Sequence, residues 1–331
     1  MAQMKYFYEL TISSSPHVHT PVTTQTIMRD VLIALVPALV GSVVFFGFRA
    51  LLVTLVSAAA CIFWEWGWCR LMKVDCQISD LSAAVTGVLL AFVCPVTIPY
   101  WTIVLGAFFA IIVVKMLFGG LGKNIVNPAL AGRAFMFSWP VLMSTWVKVG
   151  YENAAGLFSG VDAVTAATPL AALHQFQLPE TAIMDSFWGN VGGCIGETSA
   201  ALLLVGFGYL LLRKVITPRI PVAFIGTVAV LTFLFPMGQP KIDWMLYQIF
   251  SGGLMLGAIF MATDYVTSPL THLGQIVYGI GCGVLTVLIR YFGGYPEGVS
   301  YAILCMNCCV VLLDRIGRPA KFGASKKEAA K

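Results

Sequence analysis

The sequence IMRDVLIALVPALVGSVVFFG, residues 27–47, is a long apolar run with its two charges near the start. A helix crosses a membrane with about 20 mainly apolar residues, and this run is long enough to do so. The rest of the chain is similar, because 59% of its 331 residues are hydrophobic and only 11% are charged. Soluble domains carry roughly 25% charged residues, and a mean hydropathy of +0.87 leaves too little polar surface to face water. The sequence therefore predicts an all-α integral membrane protein.

About ten transmembrane helices are predicted from the apolar runs between charges and turn residues. Their approximate positions are 27–47, 50–70, 81–97, 100–118, 130–147, 190–212, 219–236, 244–263, 272–291 and 299–314. Two regions interrupt the pattern: the run 81–97 breaks at Cys94-Pro95, and residues 119–132 (GGLGKNIVNPALAG) are typical of a re-entrant turn before a helix. Irregular backbone at membrane depth is tolerated only where it is buried in protein or lines a cavity. These breaks therefore indicate a functional site.

The distribution of basic residues predicts the orientation of the chain. With a cytoplasmic N-terminus, sixteen Lys and Arg residues lie inside: Lys5, Arg29, Arg70, Lys73, Lys115, Lys123, Arg133, Arg213, Lys214, Arg219, Arg315, Arg318, Lys321, Lys326, Lys327 and Lys331. Four lie outside: Arg49, Lys148, Lys241 and Arg290. Because Lys and Arg concentrate in cytoplasmic loops, we expect both termini in the cytoplasm and the loop 148–189 outside it.

This orientation divides the chain into five parts. Residues 1–26 are predicted to be a cytoplasmic segment, since they lack the basic region and apolar stretch of a cleavable signal. Residues 27–147 and 190–314 are predicted five-helix repeats, joined by the extracytoplasmic loop 148–189, and residues 315–331 form a basic cytoplasmic tail. An odd number of helices in each half predicts that the halves are inverted relative to each other, as in many transporters.

The loop 148–189 contains the most informative segment, GVDAVTAATPL at residues 160–170. It is rich in small and hydroxyl-bearing residues and ends at a proline. Read from these residues alone, it is a turn that leads into a short amphipathic helix, with Thr168 as N-cap and Pro169 as the first helical residue.

A resemblance offers a second interpretation of this segment. The pattern Asp162-x-x-Thr165-x-Ala167-Thr168 closely resembles the acceptor motif of membrane subunits that carry FMN covalently, as a phosphoester on the final threonine. The resemblance implies that Thr168 is the flavinylated residue, within a signature of Asp162, Thr165, Ala167 and Pro169 that a separate flavin transferase recognises. The commoner form of the motif has Ser-Gly-Ala-Thr where this chain has Thr165-Ala-Ala-Thr168, and alanine removes backbone freedom that glycine would have.

Three more stretches resemble the same family in the same order: 119–133, 192–199 and 261–269. The family is the NqrB/RnfD group, and the similarity covers nearly the whole chain. Only about 26 residues precede the first predicted span, so the chain is more similar to the D subunit of the Rnf complex than to the Na⁺-pumping quinone reductase subunit. The family's fold is similar to that of urea and ammonium channels. The resemblance implies a multi-pass protein of the bacterial cell (inner) membrane.

The turn 119–133 is the second candidate site. It combines glycines with Asn124, Asn127, Lys123 and Arg133 near the start of a helix, which suits an anion or a flavin ring. The resemblance implies a second, non-covalent flavin here, such as riboflavin. Alternatively, the glycines allow close helix packing and the cations mark the cytoplasmic boundary.

Ionisable residues inside membrane segments are costly and default to functional hypotheses. The predicted spans place five such residues in or near the membrane: Glu65, Lys115, Glu197, Asp264 and Arg290. Glu197 and Asp264 are candidates for ion coupling, although Glu197 is equally suited to be a hydrogen-bond anchor and Asp264 to lie at a helix end.

No metal site is predicted. The four histidines are scattered without ligand spacing, and Cys305 and Cys308 share one hydrophobic helix with no second cysteine pair at ligand spacing.

Two functions remain open from the sequence. The first is a flavin-carrying membrane subunit of an electron-transport complex, in which ferredoxin/NAD redox chemistry is coupled to Na⁺ or H⁺ translocation. Nothing in the chain resembles a nucleotide fingerprint or a four-cysteine cluster site, so other subunits are expected to bind NAD and ferredoxin. The second is a channel or secondary transporter without a redox cofactor, because a fold does not decide function.

Overall fold

The computed structural model describes residues 22–74, 78–147 and 168–316, and the elements formed by these residues are helices. The first half contains α1 (Thr24–Phe46), α2 (Phe48–Met72), α3 (Ser82–Phe92), α4 (Tyr100–Phe108), α5 (Pro128–Met136) and α6 (Pro140–Met143). The second half contains α7 (Pro169–His174), α8 (Ile183–Trp188), α9 (Ala200–Leu212), α10 (Arg219–Leu234), α11 (Lys241–Phe250), α12 (Leu254–Leu256), α13 (His272–Phe292) and α14 (Val299–Leu313). A 3₁₀ turn at Ile78–Asp80 precedes α3.

The ends of the first helices follow from their residues. The Thr23 hydroxyl accepts a hydrogen bond from the Thr26 amide, and the Thr26 side chain accepts one from the Thr23 amide, so α1 begins at a complete capping box. The chain turns from α1 into α2 at Gly47, where φ is 78°. This left-handed value favours glycine, and the antiparallel contact of the two helices depends on it.

Three helices in the described part of the chain are long and apolar enough to cross a membrane: α1, α2 and α13. Helices α11 and α12, with the π-helical turn that follows, form a further candidate span that bends by 63° at residues 251–253. Shorter apolar helices occupy the regions of most other predicted spans. The multi-pass, all-helical class is confirmed, while the count of ten full spans stays a prediction.

Two predicted spans are shorter as helices than the hydropathy suggests. Helix α3 ends at Phe92, and residues 93–99 are irregular, as the Cys94-Pro95 break predicts. The segment 190–199 is irregular as well, and its backbone bonds to the break itself: the Ile195 amide donates to the Cys94 carbonyl and the Gly196 amide to that of Phe92. Backbone carbonyl groups at the first break therefore accept hydrogen bonds from backbone amides of the second.

Two helices continue as π-helices: α4 runs on through Phe109–Met116, and α12 through Gly257–Met261. π-Helical segments are rare overall, and those that occur are often found at functional sites. The first carries Lys115, one of the ionisable residues of the predicted spans.

Small residues allow the helices to approach closely. A Cβ atom on Gly87 of α3 would lie 2.5 Å from the Ala58 Cα of α2, and the Ser57 hydroxyl donates a 2.6 Å hydrogen bond to the Gly87 carbonyl. A Cβ on Gly206 of α9 would lie 2.3 Å from the Ala34 carbonyl oxygen of α1. Close backbone contact of this kind is how helices associate in membranes, where no hydrophobic force drives them together.

Contacts between loops define two ends of the helix bundle. At one end, Asp30 pairs with Arg213, the Tyr265 hydroxyl donates to the Val215 carbonyl, and the Leu270 amide donates to Asp314. At the other end, Arg49 donates to the carbonyls of residues 96–98, and Gln239 donates to the Phe176 carbonyl. The start of α1 and the end of α14 therefore lie at the same end.

Candidate functional site

Thr168 lies at the start of α7 and is half-buried. Its hydroxyl oxygen accepts a 3.2 Å hydrogen bond from the Ala171 amide, and Pro169 is the first helical residue. The predicted N-cap is therefore confirmed. The cap bond uses a lone pair of the hydroxyl oxygen and leaves the O–H proton free.

A cavity opens beside Thr168. We call it the Thr168 cavity. The described residues that line it are Trp146, Thr168, Pro169, Leu170, Ala171, Val191, Gly192, Gly193, Cys194, Glu197, Thr198, Phe250, Ser251, Gly252, Pro296 and Glu297. Its walls combine apolar side chains with a few polar groups, the usual composition of a cofactor site. The Ser251 hydroxyl in this wall is buried and has no hydrogen-bond partner among the described residues.

A buried charge cluster borders this cavity, and we call it the Arg133 cluster. Nη1 of Arg133 donates to Glu297 Oε1 (2.6 Å), to the Ser300 hydroxyl (2.9 Å) and to Glu197 Oε1 (3.3 Å). Nη2 donates to the second oxygen of Glu297 and lies 3.7 Å from Cys194 Sγ. A guanidinium can serve two carboxylates in this way because its donors form a planar fork.

Arg290 lies near the same cavity, where its side chain contacts the break between α11 and α12. It donates to the Gln248 carbonyl (2.5 Å), the Gln248 side chain (2.9 Å) and the Ser251 carbonyl (3.1 Å). No carboxylate forms an ion pair with Arg290 in the described part of the chain. The cation thus satisfies the carbonyl groups that the bend leaves without helical partners.

A second cavity lies at the other end of the bundle. We call it the Asn124 cavity. Among its lining residues are Ser82, Thr86, Lys115, Leu121, Asn124, Asn127, Leu210, Phe260, Thr263 and Asp264. Asn127 caps α5, since its side-chain oxygen accepts from the Ala129 and Leu130 amides, and its amide nitrogen donates to the Met261 carbonyl. The two asparagines predicted as a cradle therefore do share a cavity.

Arg133 does not line the Asn124 cavity. It lies six residues beyond Asn127 on α5, about 9 Å along the helix axis, and its side chain reaches the Arg133 cluster instead. One short helix therefore carries a lining residue of one cavity and the central cation beside the other.

The remaining ionisable residues of the predicted spans have polar partners. Lys115 donates to Glu65 and to the Ser82 hydroxyl, both at 2.7 Å, and this ion pair is almost fully buried. Asp264 follows the second π-helical segment and accepts a 2.9 Å hydrogen bond from Thr267. Burial raises the pKa of the Asp264 carboxyl above its usual range.

The predicted site residues and the residues observed at the site do not fully coincide. Asp162, Thr165 and Ala167 lie outside the described residues. Glu297 was not predicted, although the segment Tyr295-Pro-Glu-Gly, an acidic residue in a short turn between two apolar spans, was the available signal. Its partner Arg133 is 164 residues away in the sequence.

Comparison with known proteins identifies the family. The model of the NQR2, RnfD, RnfE family matches residues 11–323. The chain belongs to this family. The resemblance found in its motifs is thereby confirmed.

Relatives in the NQR2, RnfD, RnfE family match over nearly their full length. The D subunit of the Na⁺-translocating ferredoxin:NAD⁺ oxidoreductase complex of Acetobacterium woodii is 45% identical, over 97% of this chain and 98% of its own. The D subunit of the proton-translocating ferredoxin:NAD⁺ oxidoreductase complex of Clostridium ljungdahlii is 44% identical, over 96% and 97%. The D subunit of an ion-translocating oxidoreductase complex of Aliivibrio salmonicida is 35% identical, over 95% and 99%.

Proposed function

We propose that this chain is the flavin-carrying membrane subunit of an ion-translocating ferredoxin:NAD⁺ oxidoreductase complex. The observation that carries the proposal is the full-length similarity to the D subunits of two such complexes. The chain acts as an electron-transport subunit, and the other subunits of an Rnf-type complex are its partners. NAD and ferredoxin are bound by those partners.

We further propose that Thr168 carries FMN as a phosphoester. A hydroxyl is needed there because the bond is an ester, and the Thr168 proton that the bond replaces is free of the N-cap contact. The cavity beside it has the mixed apolar and polar lining of a cofactor site, and the buried Ser251 hydroxyl offers a hydrogen bond that no described residue takes. The flavin supplies the electron transfer, and the protein's task is to bind, orient and tune it.

The chain's own residues have separable tasks in this proposal. Thr168 fixes the phosphate end, the apolar wall that includes Phe250 and Val191 excludes water, and Ser251 is available to a polar edge of the ring. The Arg133 cluster and Arg290 place buried charge next to the cavity, where the low dielectric strengthens its effect. A flavin transferase of the cell attaches the FMN.

The Asn124 cavity is proposed to hold a second, non-covalent flavin such as riboflavin. Asn124, Asn127, Ser82 and Thr86 are the polar lining residues that would hold the polar edge of such a ring, and Leu121 and Phe260 are apolar lining residues that would pack against it. Of the turn residues predicted to form this cradle, Arg133 acts at the Thr168 cavity instead.

We place the chain in the bacterial inner membrane as two inverted five-helix repeats, with both termini cytoplasmic and Thr168 extracytoplasmic. Support comes from the bundle ends: the Thr168 and Asn124 cavities lie at opposite ends, and the basic loops cluster with the latter. Glu197 and Asp264 are the proposed ion-coupling residues, each beside one cavity. The named relatives differ in the ion they move, so the choice between Na⁺ and H⁺ is one for measurement.

The test is ultraviolet fluorescence of the chain after denaturing electrophoresis, with the flavin transferase co-expressed. The wild-type band is expected to fluoresce, and Thr168→Ala to be dark while still inserted in the membrane. Thr198→Ala is the matched control, because it removes another hydroxyl from the same cavity wall and keeps the acceptor. A fluorescent Thr168→Ala band contradicts the assignment, and a dark wild-type band favours the channel or transporter instead.

A further inference from the structure

We propose that Glu197 and Glu297 form a proton-binding pair, and that this pair takes up a proton when an electron reaches the group in the Thr168 cavity. This inference rests on the proposed function, which supplies the electron and its acceptor. It adds a role for Glu297 and assigns the proton to two carboxyl groups on the extracytoplasmic side.

The geometry brings two carboxylates to one cation. Nη1 of Arg133 is shared between an oxygen of Glu297 at 2.6 Å and an oxygen of Glu197 at 3.3 Å. Oxygen atoms of the two carboxyl groups and the Cys194 sulfur lie within 4.8 Å of one another. The side chains of Arg133, Glu197 and Glu297 are only 2%, 5% and 13% exposed. Water therefore does little to screen the repulsion between the carboxylates.

The charge of the cluster does not balance when both carboxyl groups are ionised. Two negative charges then face one guanidinium, and a buried excess charge is costly. A proton on one carboxyl makes the cluster neutral, as in other carboxyl pairs that share a site. The proton belongs to the pair rather than to either residue.

Of the other titratable groups that the structure describes around the pair, Arg290 adds a second positive charge but hydrogen-bonds to neither carboxyl group. Cys94 and Cys194 are buried thiols, the first donating to the Leu90 carbonyl and the second to that of Val93. The Tyr301 phenol on α14 lies within electrostatic range of Glu297 and Arg133. Arg290, on α13, acts electrostatically on both carboxyl groups. It does so at longer range than Arg133, since its own hydrogen bonds go to Gln248 and Ser251. Its distant charge weakens the hold on the proton, which keeps the pair able to titrate.

The cavity provides the link to electron transfer. Both carboxyl groups line the cavity that contains Thr168, and so does Ser251, whose buried hydroxyl has no partner among the described residues. This unused hydroxyl is an independent sign that the cavity receives a polar group. One electron added to that group places a negative charge beside the pair, and a nearby negative charge raises the proton affinity of a carboxylate.

The step balances without a change of bonding in the cofactor. One electron enters the flavin, and one proton leaves water and forms an O–H bond on a carboxylate oxygen of Glu197 or Glu297. When the electron leaves, the proton returns to water. A cluster that only anchors the helices would keep its proton occupancy throughout.

The experiment measures the midpoint potential of the covalent flavin against pH, in the assembled complex. If one proton accompanies one electron, a tenfold change in proton concentration shifts the potential by up to about 59 mV. We expect this slope in the wild-type complex over the range where the pair titrates. Glu197→Gln and Glu297→Gln should each flatten it, while Asp30→Asn, which removes a carboxylate paired with Arg213 away from the cavity, should keep it.

Redox-difference infrared spectroscopy gives a second test, and its wild-type measurement does not depend on any variant assembling. The wild-type complex should show a protonated-carboxyl band that appears on reduction, and either glutamine variant should lose it. A wild-type spectrum without such a band at any pH overturns the proposal, as does a potential slope that both glutamine variants retain. Loss of covalent flavin fluorescence would instead count against the proposed function, so the two failures are distinguishable.

Discussion

At the scale of single residues, Arg133 connects the largest number of buried polar groups in the site. It holds together Glu197, Glu297 and Ser300, which come from two separate parts of the chain. Removing one partner of such a group leaves buried charge uncompensated, which is far more costly than losing an exposed ion pair.

We therefore expect Arg133→Met to destabilise the protein by about 3–5 kcal/mol. Lys241→Met is the control, because Lys241 is exposed and forms no ion pair with a described residue, and an exposed charge contributes about 0–1 kcal/mol. Thermal unfolding in detergent measures both. Equal midpoints for the two variants would show that the Arg133 cluster is not a stability element.

Residues that act locally were predictable from the sequence, and residues that act over long distances were not. The cap at Thr168 depends on its three following residues, so its hydroxyl pattern was sufficient to predict it. Glu297 depends on a partner 164 residues away, and neither its type nor its spacing identifies Arg133. Glu197 was recognised only because an acidic residue within an apolar segment is unusual.

At the scale of helices, α2 and α3 approach each other closely at Gly87. A Cβ on Gly87 would lie 2.5 Å from the backbone of Ala58 and 2.8 Å from the Ser57 carbonyl oxygen. Backbone atoms cannot turn aside as a flexible side chain can, so the helices would have to separate.

Gly87→Ala is expected to destabilise the protein by about 1–3 kcal/mol, as overpacking does. Gly67→Ala is the matched control on α2, since nothing lies within 4 Å of its added Cβ. Alanine should be neutral or slightly favourable there, because it is the better helix former. Expression level and thermal midpoint distinguish the two, and a Gly67→Ala effect as large as that of Gly87→Ala would refute the packing argument.

Helix positions were more predictable than helix shapes. The predicted runs 27–47 and 272–291 match α1 and α13 closely, because the length of an apolar run is a local property. The bend at residues 251–253 and the two π-helical segments were not predicted. Hydropathy is the same for an α-helix and a π-helix, and the hydrogen-bond shift that separates them depends on neighbouring helices.

At the scale of the whole molecule, the two cavities lie at opposite ends of the bundle. Lys123 is exposed in the loop beside the Asn124 cavity, and Lys241 is exposed at the start of α11. These two positions can be used to test which side of the membrane each end faces. The count of basic residues assigns the first to the cytoplasm and the second to the outside.

A cysteine at Lys241 should react with a membrane-impermeant thiol reagent in intact cells, and a cysteine at Lys123 only after the membrane is opened. The unsubstituted chain gives the background of its own cysteines, and no disulfide joins those that the structure describes. The reverse labelling pattern would invert the orientation and place Thr168 in the cytoplasm. Equal labelling of both positions in intact cells would disprove that they face opposite sides.

The membrane class and the approximate spans follow from composition, because the lipid environment imposes a simple rule on length and polarity. The placement of two cavities does not follow from it. Asn124 and Asn127 line the same cavity as Asp264 and Phe260, which belong to the other half of the sequence. Only the packed bundle shows which of the breaks face each other.

The π-helical segment at Phe109–Met116 continues α4 and therefore takes its rotation from it. An α-helix turns by about 100° for each residue, so deleting one residue from α4 would turn the segment by about 100°. Lys115 would then point away from Glu65 and Ser82, with which it now forms two 2.7 Å contacts. In this part of the chain, the number of residues matters as much as their identity, and a single deletion would do more harm than most substitutions.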